Sequence, residues 1–136
     1  MNKLDEFAPI FYPKSHAVIG ASADTRKFSG MYLQAVRAFG YPGRLYVVNQ
    51  QETEVQGLRA YRSVSDIPEP VELASIVVPA RAVPGVAEEC LAKGVKAVQV
   101  LSAGFREAGD EGERLEKELT GIAARGLRII GPNCFG

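Results

Sequence analysis

The chain has 136 residues, 46% of them apolar and 24% charged, and its sixteen basic and sixteen acidic side chains cancel. That length suits one domain with a real core, the charge balance argues against a nucleic-acid or anionic-membrane surface, and no apolar stretch nears the ~18 residues of a membrane helix. The N-terminus lacks the apolar run of a signal peptide, and two cysteines, Cys90 and Cys134, make no disulfide framework, which fits a cytoplasmic protein with reduced thiols.

Residues 1–14 read as a lead-in, where Pro9 and Pro13 prevent a continuous helix. His16-Ala17-Val18-Ile19 is a short apolar run ending at Gly20, a first strand. Ser29 is placed to cap a helix whose apolar face is Tyr32, Ala35, Val36 and Phe39, spaced i, i+3, i+4, i+7. Gly40 ends it, and Tyr41-Pro42-Gly43 turns the chain. A second strand follows at Arg44-Leu45-Tyr46-Val47-Val48, a short edge strand at Gly57-Leu58-Arg59-Ala60, and a helical turn near Ser65 to Ile67. Leu73 to Val78 is another strand, stopped by Pro79. From about Ala82 to Lys93 a helix buries Val83, Val86, Ala87, Cys90 and Leu91, with Pro84 tolerated in its first turn. Ala97 to Leu101 is the next strand. Asp110 and Glu113 have the spacing of a capping box, opening a helix that buries Leu115, Leu119, Ile122 and Ala123. Gly126 closes it, and Leu127 to Ile130 is the last strand.

Continuous apolar strands separated by amphipathic helices indicate an α/β fold, a doubly wound parallel sheet of Rossmann-like kind covered on both faces. The expected strand order is 3-2-1-4-5-6, counting the six strands along the chain. Such sheets bind ligands beyond the carboxyl ends of their strands, beside the switch point at the first strand. The loops that matter therefore begin at Gly20, Asn49, Pro79, Ser102 and Gly131.

Gly20-Ala21-Ser22-Ala23-Asp24 leads from the first strand toward a helix N-terminus, where backbone N–H groups can approach phosphate oxygens. Ser22 adds a hydroxyl, and Arg26 and Lys27 add cations; a plain tight turn with two solvated cations is the bland alternative. The three-glycine dinucleotide fingerprint is incomplete, because Ser22 stands at the second glycine position, and the second strand ends on Val48-Asn49 rather than an acidic residue. Both points count against NAD. Val77-Val78-Pro79-Ala80 offers an apolar shelf for a flat base, or is simply a strand ended by proline.

The catalytic inventory is poor. His16 lies at the start of the first strand, the end away from the site, and reads as a structural histidine. Cys134 is at the correct end but has no histidine placed to activate it, and Cys90 reads as a core residue. No His/Cys/Asp cluster has metal-ligand spacing. The chain reads as built to hold a ligand, with no catalytic and no metal residues of its own.

Six stretches together carry a resemblance: "AVIGAS" (Ala17–Ser22), "GYPG" (Gly40–Gly43), "VVN" (Val47–Asn49), "IVVPA" (Ile76–Ala80), "SAGFREAGDEG" (Ser102–Gly112) and "GPNC" (Gly131–Cys134). In this order and spacing, over nearly all of residues 8–136, the chain resembles the N-terminal CoA-binding domain of the NDP-forming acyl-CoA synthetases. That superfamily includes succinyl-CoA synthetase alpha subunits and ADP-forming acetyl-CoA synthetases. The resemblance implies that coenzyme A occupies the crevice, with Gly20, Ala21, Ser22 and Lys27 at its phosphate-bearing end. Asn49, Val78 and Pro79 would flank the adenosine, and Leu101, Ser102, Ala103 and Gly104 would line the pantetheine, with Gly131, Pro132 and Asn133 nearby.

One departure stands out. Relatives commonly follow Val-Asn with proline and often a lysine that meets a CoA phosphate, whereas this chain has Gln50-Gln51-Glu52. Arg26, Lys27 and Arg44 are the cations available to compensate. In those synthetases the chain continues after "GPNC" into a domain carrying a phosphorylated histidine, and an ATP-grasp module works in the same assembly. The resemblance thus implies that residues 1–136 are a single CoA-binding domain, the front of a larger acid–thiol ligase whose other domains and ATP-grasp module are its partners. A free-standing CoA-binding regulator and an NAD(H)-binding Rossmann module are the competing expectations.

Overall fold

A computed structural model describes residues 12–102 and 109–131 of the chain. Most of the expected lead-in, the 103–108 loop and residues 132–136 lie outside the described residues.

The strands are β1 (Ser15–Ile19), β2 (Arg44–Val48), β3 (Glu54–Val55), β4 (Leu58–Tyr61), β5 (Leu73–Ile76), β6 (Ala97–Val100) and β7 (Arg128–Ile130). Three helices, α1 (Phe28–Ala38), α2 (Val83–Lys93) and α3 (Asp110–Ala124), are described between them. Among the described residues the sheet runs β3-β4-β2-β1-β5-β6-β7, with every pairing parallel except β3 against β4. The six expected strands take their expected order. The seventh, β3, is an addition at the edge: two residues, Glu54–Val55, folded back on β4 by a two-residue turn at Gln56 and Gly57. Both turn residues have positive φ, 51° and 82°, the handedness that matches the twist of a tight hairpin. A two-residue strand has no readable period, which is why sequence patterning passes over it.

Every residue of β1 and β5 is buried, as expected for central parallel strands covered on both sides. The two faces differ in weight. Ala17, Ile19, Tyr46, Val48, Ile76, Val98 and Val100 pack with Ala87 and Cys90 of α2 and Leu115, Leu119 and Ile122 of α3 in the larger core. The opposite face is a small cluster, Val18, Val47, Ala21 and Val55 around Leu33 of α1.

Several local expectations change. Ser29 does not cap α1: the helix starts at Phe28, its N-cap is Lys27, and no side chain caps it. Its buried residues are Gly30 and Leu33, while Phe39 lies past the helix end and is 90% exposed. Leu33 reaches the sheet because it sits over Val18 and Val47, whereas Phe39 has run beyond the amino ends of the strands, beside Tyr12 and Tyr41. The capping box at Asp110 does not form either, since the N-cap is Gly109 and no side-chain cap bond is made. The acidic first turn of Asp110, Glu111 and Glu113 still complements the helix dipole. On α2, Val86 and Leu91 are only partly buried, and on α3 Ala123 is likewise intermediate. β5 stops at Ile76, two residues earlier than its apolar run suggests.

His16 is buried on the α1 face within a polar group. Its Nε2 lies 2.7 Å from Ser75 Oγ, which is also 2.9 Å from the Tyr32 hydroxyl and donates to Gln99 Oε1 at 3.3 Å. The Tyr41 ring meets the imidazole edge to face at 5.7 Å. Burial holds the imidazole neutral, its pKa pulled down to about 4 from 6.5. Between those values the unfolded chain binds a proton that the folded chain does not, so stability falls as pH drops through this window. Urea unfolding is expected to lose about 2–3 kcal/mol from this group between pH 7 and pH 4.5. A His16→Gln variant should show a correspondingly shallower pH dependence than the parent.

Candidate functional site

At the carboxyl end of β1 the chain must pass between two neighbours. Gly20 N–H donates to Val48 O at 2.8 Å on one side, and Val77 N–H donates to Ile19 O at 2.9 Å on the other. Gly20 has φ +96°, and a Cβ there would lie 2.7 Å from Val78 Cγ1. Only glycine meets both demands without displacing the neighbouring loop.

The following loop is held by its own side chains. Ser22 Oγ accepts from Asp24 N–H at 3.0 Å, which leaves the hydroxyl proton free to donate elsewhere. Asp24 accepts from the backbone of Arg26 at 2.9 Å and from its guanidinium at 3.0 Å. Those Arg26 bonds hold the Asp24 carboxyl below the usual carboxylate range. Lys27 N–H closes the turn onto Asp24 O at 3.1 Å, and α1 begins at the next residue. Gly30, in its first turn, packs directly on the loop: a Cβ would stand 2.2 Å from Asp24 O.

Two side chains from elsewhere brace this loop. Gln56, in the left-handed conformation at the hairpin tip, donates from Nε2 to Ser22 O at 3.0 Å and to Gly30 O at 2.9 Å. Arg37 in turn donates to Gln56 O at 2.6 Å. Asn49 donates from Nδ2 to Ala21 O at 2.9 Å, and its Oδ1 accepts from the N–H groups of Gln51 and Glu52, both at 2.8 Å. Asn49 is thus a tie between the loops leaving β1 and β2, with one amide hydrogen to spare. An acidic residue at this position could not donate to Ala21 O.

The result is a crevice of two lobes that share Gly20, Asn49, Gln51, Val78 and Pro79. The smaller lobe, about 330 Å³, lies on the α2 side and is walled by Val48, Val64 and Val86, with Arg62, Ser63 and Glu89. The larger, about 930 Å³, lies on the α1 side and takes in Ala21, Ser22, Leu101, Ser102 and the start of α1 at Lys27. Ser102 is buried, and its hydroxyl is hydrogen-bonded to the carbonyls of Val78 and Ile76, so it pins the loop that leaves β5. Asp24, Glu52 and Glu54 also face the larger lobe.

Nine of the expected site residues therefore line one crevice: Gly20, Ala21, Ser22, Lys27, Asn49, Val78, Pro79, Leu101 and Ser102. Ala103, Gly104, Pro132 and Asn133 lie outside the described residues, as does Cys134. Two of the compensating cations are placed otherwise. Arg44 opens β2 at the far end of the sheet and pairs with Glu69 at 2.6 Å, and Arg26 is paired with Asp24. Sequence reasoning missed Arg62, Ser63 and Glu89, which come from the end of β4 and from α2, and missed Gln56. Gly57, directly after Gln56, was the one local sign of a tight turn there. Cys90 is fully buried in the larger core, and burial pushes its thiol up to about 12, so it stays protonated and unreactive.

The CoA binding domain family matches residues 14–136. The alpha subunit of an ADP-forming acetate–CoA ligase II from Pyrococcus furiosus is 50% identical over 93% of this chain, which spans 28% of that protein. An ADP-forming acetate–CoA ligase I from Archaeoglobus fulgidus is 48% identical over 93% of the chain, here 18% of its length. Among solved structures, a dinucleotide-forming acetyl-coenzyme A synthetase 1 of Ca. Korarchaeum cryptofilum, in complex with phosphate and ADP, superposes with a TM-score of 0.88. It is 40% identical, and the match covers 96% of this chain and 28% of that one. The chain thus spans less than a third of the length of these relatives.

Because Gly30 touches backbone, Gly30→Ala is expected to cost more than about 2 kcal/mol in urea unfolding. Gly121→Ala, where a Cβ meets open space on α3, should instead stabilise by about 0.5–1 kcal/mol. Asn49→Ala should cost about 1–2 kcal/mol and raise amide exchange at Gln51 and Glu52, whose N–H groups lose their acceptor.

Proposed function

As the chain belongs to the CoA binding domain family, we propose that the two-lobed crevice at Gly20 is where the coenzyme lies. One observation supports this most: the loops leaving β1, β2 and β5 converge on a cleft with an apolar shelf on one side and a helix N-terminus on the other. Coenzyme A has the matching parts. Its adenine is flat and suits the shelf of Val48, Val78, Pro79 and Val86 in the smaller lobe. Its pyrophosphate passes Gly20, where no side chain blocks approach, and meets the Ser22 hydroxyl, Lys27 and the first turn of α1. The slim pantetheine then runs along Leu101 and Ser102.

The residues here bind and orient, and the chemistry belongs to other parts of a larger protein. We infer an acid–thiol ligase in which nucleotide triphosphate energy joins a carboxylate to the coenzyme thiol, with ATP-grasp and further ligase domains as partners in the cytoplasm. The likeness to acetate–CoA ligases over 93% of this chain supports that reading. The amide tie at Asn49, where a dinucleotide site would hold an acidic residue for the ribose, weighs against NAD.

Thermal unfolding tests the proposal. Coenzyme A at a hundredfold over its Kd should stabilise the chain by about 2.7 kcal/mol, a rise of several degrees in Tm, while NAD leaves Tm unchanged. Equal or greater protection by NAD would overturn it. Lys27→Ala should weaken coenzyme A binding several-fold in calorimetry, and an unchanged Kd would remove Lys27 from the site.

A further inference from the structure

The crevice holds one cation in each lobe. Lys27 stands on the larger lobe and Arg62 on the smaller. Among the described residues neither makes an ion pair, whereas the other arginines around the crevice are engaged: Arg26 with Asp24 at 3.0 Å, Arg81 with Glu111 at 3.1 Å, and Arg59 over the Tyr61 ring at 4.9 Å. Glu89, the other charge on the smaller lobe, accepts a hydrogen bond from the Ser63 hydroxyl.

Arg62 owes its place to the sheet. β4 ends at Tyr61, whose carbonyl accepts the Asn49 N–H at 2.8 Å, so the exits of β2 and β4 are tied together and the next residue emerges at the rim of the smaller lobe. The side chain is exposed, with its guanidinium free to reorient.

Coenzyme A carries two separate anionic groups. Its pyrophosphate leads from the 5′ carbon toward the pantetheine, while its 3′-phosphate sits on the ribose that bears the base. If the base occupies the smaller lobe, the 3′-phosphate is confined to that lobe's rim. We propose that Arg62 is the specificity residue that reads the 3′-phosphate, distinguishing coenzyme A from its dephospho form. This rests on the coenzyme A reading of the crevice. A guanidinium fork matches a dianionic phosphate monoester with two parallel charge-assisted hydrogen bonds, and Gln50 and Gln51 on the same lobe offer no charge for that task.

Calorimetric titrations of the parent chain, Arg62→Ala and Arg62→Lys with coenzyme A and with 3′-dephospho-coenzyme A test this. The parent is expected to bind coenzyme A about tenfold more tightly than the dephospho form. Arg62→Ala should lose that preference by weakening coenzyme A alone, and Arg62→Lys should restore part of it. Equal weakening of both ligands by Arg62→Ala, or no weakening of either, would overturn the assignment while leaving the coenzyme A reading intact. A parent chain that binds neither ligand would overturn the reading itself. Unchanged Tm for Arg62→Ala, expected for an exposed side chain, excludes a folding defect as the cause.

Discussion

The exit of β1 governs this molecule. At Ile19 and Gly20 the central strand is still bonded to β2 on one side and to the chain beyond β5 on the other, yet its continuation must turn away toward α1. The two neighbouring loops therefore part around it, and the space between them is the crevice. Gly20 carries the constraint, because its φ is positive and a Cβ there would stand 2.7 Å from Val78 Cγ1, leaving no room for a side chain. Both lobes share this residue as a wall, so the geometry of either depends on it.

Around that point the loops are braced by polar side chains rather than by apolar packing. Gln56 holds Ser22 and Gly30, Asn49 holds Ala21 and the turn after β2, and Ser102 holds the carbonyls after β5. Asn49 and Gln56 come from the connection between β2 and β4 and Ser102 from the exit of β6, so the loops around β1 and β5 are fixed before any ligand arrives. Preorganised backbone and side-chain donors bind an anion without the ordering cost that a floppy loop would incur. The lighter of the two cores lies beneath this arrangement, with Leu33 as the main anchor of α1. The polar group of His16, Ser75, Tyr32 and Gln99 fills part of the remaining face.

The family relationship gives these details a context. The chain belongs to the CoA binding domain family and spans under a third of the length of its ligase relatives; on the proposed reading it holds the coenzyme and leaves chemistry to the rest. The crevice suits that division: its described walls offer hydrogen-bond donors, two cations and an apolar shelf, while His16 is at the opposite end of the sheet and Cys90 is sealed in the core.

Much of this was legible in the residues themselves. Apolar runs such as Ala17-Val18-Ile19 and Leu73-Ala74-Ser75-Ile76 declare buried parallel strands, since a strand covered on both faces has no polar alternation to lose. Glycine and proline at the run ends then mark the loops, and with the strand order known to such sheets, those loops converge at one edge. What only the tertiary structure decided is which side chains from distant segments arrive at that edge and what they are left free to do. Asn49, expected beside the adenosine, lines the crevice and also ties two loops together; Arg44 looked like a spare cation and lies at the other end of β2; Arg62 carried no local signal at all. Those assignments depend on pairings between residues tens of positions apart, and local periodicity holds no record of a hydrogen bond whose partner lies on another crossover.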